Sequence, residues 1–376
     1  MKRLLLASAA CALVSGPALA EDVNVGIILG FTGPLESITP GMAAGAELAF
    51  TEASAAGPTT FNIVRADSTC IDAAAATTAA EQLITSDNVV AIMGADCSGV
   101  TTAIANNVAV PNGVVMVSPS ATSPALSTIE DNDFFFRTAP SDARQGEVLA
   151  DVVTERGIDN IAITYTNNDY GKGLADSFAA AFEAAGGTVA INESHEDGKG
   201  DYSAEVAALQ ASGAEHLAVL GYVDQGGVGI VQTSLDTGAF SSFVFGDGMF
   251  GQSLIDAVGD QINGTVVGTL PGTEGAGADA FATIANAAGI DPTGTYAPES
   301  YDAAALIALA AAAAGSTDRT AIRDQILNVA NAPGEEILPG ELAKGLELAA
   351  AGTDIDYVGA SGVELIGPGE AAGSYR

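Results

Sequence analysis

The chain reads as an α/β protein of two lobes, each a parallel sheet with helices on both faces. Three observations lead there. Short apolar β-rich runs alternate with Ala-rich helical stretches along nearly the whole sequence. The alternation breaks once, at Phe134-Phe135-Phe136-Arg137-Thr138-Ala139-Pro140, and then starts again. At 376 residues the chain is also near the upper size of a single hydrophobic core. With 48% hydrophobic residues it can bury enough surface to offset ordering entropy, which excludes disorder. Its 12 Lys plus Arg against 47 Asp plus Glu give a formal charge of −35, which repels nucleic-acid phosphates and leaves no polybasic membrane patch.

In chain order, Lys2-Arg3, the apolar run Leu4–Val14 and the small-residue site Ala18-Leu19-Ala20 read as a secretory signal peptide over 1–20. The apolar run is too short to span a bilayer. Without its two basic residues the mature chain is more acidic still, and it is expected outside the cytoplasm. Val23–Leu29 is a strand, Thr39-Pro40 supplies an N-cap and first-turn proline, and Met42–Phe50 is a helix. Strands at Phe61–Ala66, Val89–Met93 and Val114–Val117 alternate with helices at Ile71–Ile84 and Val100–Val108. This βαβαβαβ order predicts a parallel sheet covered on both faces.

The second unit follows the Phe-rich break. Helix Ala143–Glu155, strand Ile161–Tyr165, helix Gly173–Ala185, strand Thr188–Ile191, helix Tyr202–Ser212, strand Leu217–Leu220, helix Val228–Leu235 and strand Phe243–Phe245 repeat the rhythm. After the Gly/Pro-rich stretch Thr269–Gly277, helices at Ala278–Ala288, Pro298–Ala313 and Arg319–Ala330 are expected to return to the first sheet. The lobes are therefore 21–140 plus 273–352 and 141–272 plus 353–376, with at least two crossings and a cleft between them. Two cysteines, Cys70 and Cys97, remain after the leader; in an oxidising compartment they are expected to form a disulfide.

Ligands of open α/β sheets sit beyond the carboxyl ends of strands, so the loops there are the place to look. After the third strand comes Gly94-Ala95-Asp96-Cys97-Ser98-Gly99, and after the fourth Ser118-Pro119-Ser120-Ala121-Thr122-Ser123-Pro124. The first offers backbone N–H groups at a helix start, and the second a Ser/Thr cluster stiffened by prolines. Together the Cys-Ser loop and the Ser-Pro-x-Ala-Thr-x-Pro run resemble the leucine/isoleucine/valine-binding family of periplasmic solute-binding proteins, which serve ABC importers. Thr32-Gly33-Pro34-Leu35, Asp67 with Cys70, Asp169–Gly173, Asp201–Ala204, Gly221-Tyr222, Tyr296–Ala303 and Asp354–Gly362 follow in that family's order.

The resemblance implies the type I periplasmic-binding fold and an α-amino-acid site. Ser98 or Gly99 and the Thr122 backbone would hold the ligand carboxylate. The Ser120 carbonyl, the Thr122 hydroxyl and Asp247 would hold the ammonium, with Ala121 in the same loop. Tyr170 and Tyr222 would close from the second lobe. Asp247 is one methylene shorter than the glutamate often found in the family, and Ile38 stands where an aromatic is common. A small aliphatic amino acid, branched-chain above all, is the implied ligand. Another small carboxylate or amide is an alternative, as is a sensor role at a membrane receptor. The implied partners are the permease and ATPase subunits of an inner-membrane ABC importer, served by a periplasmic monomer.

No enzyme is expected. The sequence has no Gly-x-Ser-x-Gly elbow and no Walker motif, and His195 and His216 have no metal-ligand partner at helical spacing. Gly226-Gly227-Val228-Gly229 lacks dinucleotide-binding spacing, and the acids around Asp201 lack the glutamate that ends a calcium loop. Neither cofactor nor metal is expected.

Overall fold

A computed structural model describes residues 21–272, 274–367 and 369–376; the expected leader lies outside them. The first unit runs β1 (Glu21–Leu29), α1 (Thr39–Ala56), β2 (Thr59–Asp67), α2 (Ala73–Thr85), β3 (Ala91–Gly94), α3 (Ser98–Ile104), β4 (Val115–Ser118) and β5 (Phe135–Arg137). The second runs α4 (Asp142–Glu155), β6 (Asn160–Thr166), α5 (Asp169–Ala184), β7 (Thr188–His195), α6 (Ser203–Gln210), β8 (His216–Leu220), α7 (Val228–Thr237), β9 (Ser242–Phe245), α8 (Gln252–Val258) and β10 (Val266–Gly268).

Each unit carries a five-stranded parallel sheet, in the orders β2-β1-β3-β4-β5 and β10-β9-β8-β6-β7. Read from its own first strand, each sheet has the order 2-1-3-4-5. Helices on both faces bury the central strands completely, which is why β3 and β4 are continuous apolar runs rather than alternating ones. The edge strands β2 and β7 keep exposed positions. β5 and β10, three residues each, were not expected as strands; Phe135-Phe136 fills the sheet edge where the sequence showed only a break.

The rest of the chain gives α9 (Ala276–Ala288), α10 (Ala297–Ala314), α11 (Arg319–Arg323), α12 (Ile326–Ala330), β11 (Glu335–Ile337), α13 (Leu342–Ala350), β12 (Ile355–Tyr357), β13 (Leu365–Gly367) and β14 (Glu370–Ala371). α10 returns to the first sheet as expected, packing on α1, β3 and β4. Its first fourteen residues are buried, so it has no polar face, and alanines let neighbours approach closely. Gly45 of α1 is one such contact: a Cβ there would lie 2.4 Å from the Ala297 carbonyl oxygen. The single helix expected over Arg319–Ala330 is two short ones.

The segment expected in the second lobe, 353–376, packs elsewhere. β12 pairs with β11, Tyr357 donates to Asp302 of α10 at 2.7 Å, and Glu370 bonds Arg137 of β5 at 2.7 Å. α10 packs on the first sheet and Arg137 stands on β5, so the segment joins the first unit, where it gives buried Asp302 hydrogen-bond donors and buried Arg137 a counter-charge. The last residues lie against the hinge. Tyr375 donates to the Pro140 carbonyl at 2.7 Å, and Arg376 and Leu270 exchange backbone bonds of 2.9 and 3.1 Å. Chain crossings at 138–141 and 269–272 are joined by Gln145, whose amide nitrogen reaches the Thr269 carbonyl at 3.2 Å.

Candidate functional site

The order 2-1-3-4-5 places a topological switch point beside β1 in one sheet and beside β6 in the other. The loops at those points face each other across the cleft and enclose a small cavity. Leu35 and Ile38 come from the loop after β1, Asp96 and Ser98 from that after β3, and Ser120 from that after β4. The opposite wall is Tyr170 in the first turn of α5, Tyr222 after β8, and Asp247 with Gly248 after β9; Tyr296 closes one end.

The first-lobe loops are locked together. Asp96 accepts from the Gly30 N–H at 2.9 Å and from the Ser68 hydroxyl at 2.9 Å, joining the loops after β1, β2 and β3. The Cys70–Cys97 disulfide, with a Cα separation of 5.2 Å, joins the last two again. Hydrogen bonding also sets the polarity of each hydroxyl. Ser98 Oγ accepts from the Ser123 N–H at 3.1 Å, so its proton stays free to donate. Ser120 Oγ gives its proton to the Asp96 carbonyl at 3.0 Å and can then only accept.

On the second lobe, the rings of Tyr170 and Tyr222 stack with centroids 5.0 Å apart. Tyr170 Oη donates to Asp247 Oδ1 at 3.0 Å and accepts from the Gly248 N–H at 3.1 Å. Tyr296 Oη donates to the other oxygen, Asp247 Oδ2. The glycines beside Asp247 make room for this grip: a Cβ on Gly246 would lie 3.1 Å from the Tyr170 hydroxyl, and one on Gly248 would lie 2.7 Å from the Gly221 carbonyl oxygen. Tyr222 Oη is buried without a partner among the described residues.

Carboxyl groups dominate the electrostatics. Burial pushes Asp247 above the usual carboxylate range, opposed by the two phenolic donors. Burial, and then the charge of Asp247, push Asp142 well up; the Thr122 hydroxyl and Arg137 oppose this. Asp96 is raised by burial against its Gly30 and Ser68 bonds. The result is a cavity with a hydroxyl donor at Ser98, acceptors at Ser120 and Asp247, and apolar walls at Leu35 and Ile38. Such a distribution matches a small zwitterion with an apolar side chain.

Of the eight residues singled out in the sequence, five line the cavity: Ser98, Ser120, Tyr170, Tyr222 and Asp247. Gly99 instead lines a larger outer cavity at the cleft mouth, with Ile71 on one lip and Glu196 on the other. The Ala121 carbonyl accepts from buried Arg137 at 3.1 Å, and the Thr122 hydroxyl donates to Asp142 at 3.0 Å. Leu35, Asp96, Gly248 and Tyr296 were not anticipated as lining residues. Tyr296 opens the Tyr296–Ala303 segment noticed in the sequence, a signal without a role.

The fold and its cleft define a two-lobed solute-binding protein, which holds a ligand rather than transforming it. A family model described as periplasmic binding protein matches residues 22–343, and the chain belongs to that family. It is 30% identical over 326 residues to a Leu/Ile/Val-binding protein homologue of Brucella melitensis, covering 85% of this chain and 88% of the relative. It is 28% identical to a leucine-, isoleucine-, valine-, threonine- and alanine-binding protein of Pseudomonas aeruginosa, with 85% of each covered. Among solved structures, a leucine-binding protein of Thermotoga maritima superposes with a TM-score of 0.78 at 23% identity, covering 94% of both chains. A branched-chain amino-acid transporter substrate-binding protein of Streptococcus pneumoniae, in complex with isoleucine, gives a TM-score of 0.72 at 25% identity over 83% of this chain and 89% of that one. A Rhodopseudomonas palustris protein bound to 4-hydroxybenzoate shares the fold, with a TM-score of 0.73 at 19% identity over 85% of this chain and 90% of that one.

Proposed function

We propose that this protein is the periplasmic solute-binding component of an ABC importer and that it captures a small α-amino acid, branched-chain or otherwise aliphatic, by closing its two lobes. The observation that carries the ligand class is the buried carboxylate of Asp247 facing a hydroxyl donor, Ser98, across an apolar-walled cavity. Ser98 serves the ligand carboxylate; Asp247 and Ser120 serve the ammonium. The names of the Brucella and Pseudomonas relatives support the same class. Of the other residues expected there, Thr122 stays in the proposed site through its backbone N–H; Gly99 lines the outer cavity, and the Ala121 carbonyl and Thr122 hydroxyl are engaged by Arg137 and Asp142.

The cavity holds only about 10 Å3, room for a water-sized body. Ligand entry therefore requires the lobes to part, and only the closed form makes both sets of contacts. Differential affinity for that form then holds the lobes shut on the ligand.

Calorimetric titration with leucine, with its amine-free analogue 4-methylpentanoate and with 4-hydroxybenzoate tests the reading. Leucine should bind most tightly. Asp247→Asn should weaken leucine by roughly 2–5 kcal/mol, because the ammonium loses its buried counter-charge. The same change should leave 4-methylpentanoate unaffected or improved. Equal losses for both ligands, or tighter binding of 4-hydroxybenzoate, would remove the amino-acid assignment.

A further inference from the structure

Tyr296 has no place in the ligand scheme above, yet it reaches the central acid. It precedes α10, which packs on the first sheet, whereas Asp247 follows β9 of the second. The Tyr296–Asp247 hydrogen bond therefore crosses the cleft. Tyr170, the other donor to Asp247, stands on α5 of the same lobe as the acid. Parting of the lobes would leave the Tyr170 bond in place and remove the one from Tyr296.

The backbone at Tyr296 is unusual in a way that serves this contact. Its φ of 61° and ψ of 10° lie in the left-handed region, which bulky residues seldom adopt unless their surroundings impose it. The neighbouring Thr295 hydroxyl donates to the Phe250 carbonyl at 2.8 Å, so two consecutive residues hold the same second-lobe turn, 247–250. The ring is 6% exposed and lines the cavity.

Resting on the amino-acid reading, we propose that Tyr296 is a positioning residue for ligand capture: its hydroxyl, carried on the first lobe, docks on the Asp247 carboxylate as the cleft closes and holds that carboxylate aimed and charged for a ligand ammonium. Two phenols on separate oxygens leave each oxygen a further lone pair, so donor and ammonium can share the acid. The help is needed because burial and the facing Asp142 carboxyl on α4 oppose the charge of Asp247. Within its own lobe the side chains that donate to it are Tyr170 of α5 and Gln145 of α4; Tyr222 beyond β8 and Tyr375 of the C-terminal tail also face it, and Arg137 acts on Asp142 and Tyr375. Closure thus completes the acid at the moment the ammonium is enclosed.

Tyr296→Phe keeps the ring and removes only the hydroxyl. The first readout needs no ligand, because the contacts of Asp224 with Pro34 and Ser37 hold the cleft shut without one: the Asp247 carboxyl 13C signal, assigned by its loss in Asp247→Asn, is followed against pH. Its midpoint should rise by about one unit in Tyr296→Phe, as expected for loss of one hydrogen bond to the charged form. An unchanged midpoint would overturn the proposal. The second readout is leucine affinity between pH 5 and 8: the pH at which affinity falls tenfold should move upward, while 4-methylpentanoate affinity stays flat. A uniform loss for both ligands at every pH would reduce Tyr296 to packing. If wild-type protein fails to prefer leucine over 4-methylpentanoate, the amino-acid reading falls, and the carboxyl midpoint still decides the role of Tyr296.

Discussion

Glu299, in the first turn of α10, is 2% exposed, and burial pushes its carboxyl up from 4.5 to about 8, with the charge of Asp302 adding to the rise. Asp302, one turn later, has the opposite provision: the Tyr357 hydroxyl, the Ala360 and Ser361 N–H groups and the Ser361 hydroxyl all donate to it, opposing the effect of burial. Since the Glu299 value is raised on folding, its contribution to stability is fully present below about pH 4.5 and is lost as pH rises towards 8. Glu299→Gln should remove roughly 1 kcal/mol of pH-dependent slope per unit across that window. Thermal unfolding at pH 5 and pH 8 checks this: the variant should lose less melting temperature between the two than wild type. Equal slopes would place Glu299 in contact with solvent. Among the cleft residues, Tyr222 and Asp247 could be found in the sequence because each lies just beyond an apolar run. Tyr296 could not, because it reaches the cleft from a helix start whose left-handed backbone has no local sequence signal.

The disulfide shows how a link between elements reaches the site. Cys70 follows β2 and Cys97 immediately precedes α3, 27 residues apart in sequence. In the chain-entropy model a loop of that length contributes about 3.5 kcal/mol. The bond also fixes the entry to α3, where Ser98 stands. Paired Cys70→Ser and Cys97→Ser changes should lower stability in urea by roughly 2–4 kcal/mol and weaken ligand binding; stability within error of wild type would show the link to be redundant. Central strands were legible in the sequence because burial on both faces makes them unbroken apolar runs. β5, β10 and the short pairs β11–β12 and β13–β14 were not, since two or three residues at a sheet edge depend on tertiary partners rather than on pattern. The sequence predicts the helix only from Gly173, whereas Asn168 caps α5 through the Gly171 N–H and brings Tyr170 into the first turn.

The whole molecule is held shut by contacts that no ligand makes. The Asp224 N–H donates to the Pro34 carbonyl at 3.0 Å, while its carboxylate accepts from the Ser37 N–H at 2.9 Å and the Ser253 hydroxyl at 2.5 Å. Asp224→Ala should populate an open form in ligand-free protein, seen as a larger radius of gyration by solution scattering. Because only the closed fraction is competent, affinity for every ligand should fall by the same factor, about two- to tenfold. A ligand-dependent factor would mean that Asp224 acts on the site itself.

The C-terminal tail bears on that motion in another way. Tyr375 and Arg376 hold both lobe crossings, at Pro140 and Leu270, so three lengths of backbone lie together at the hinge. From there the cleft runs outward past Tyr296, Asp247 and Ser98 to the lips at Ile71 and Glu196. Rotation about such a bundle acts as a door does on its pin, with travel growing with distance from it. A fluorophore joined after Arg376 would ride near the pin and report little, whereas a dye pair on Ile71 and Glu196 would sit on the swinging edges and convert a few degrees of rotation into a measurable change in energy transfer.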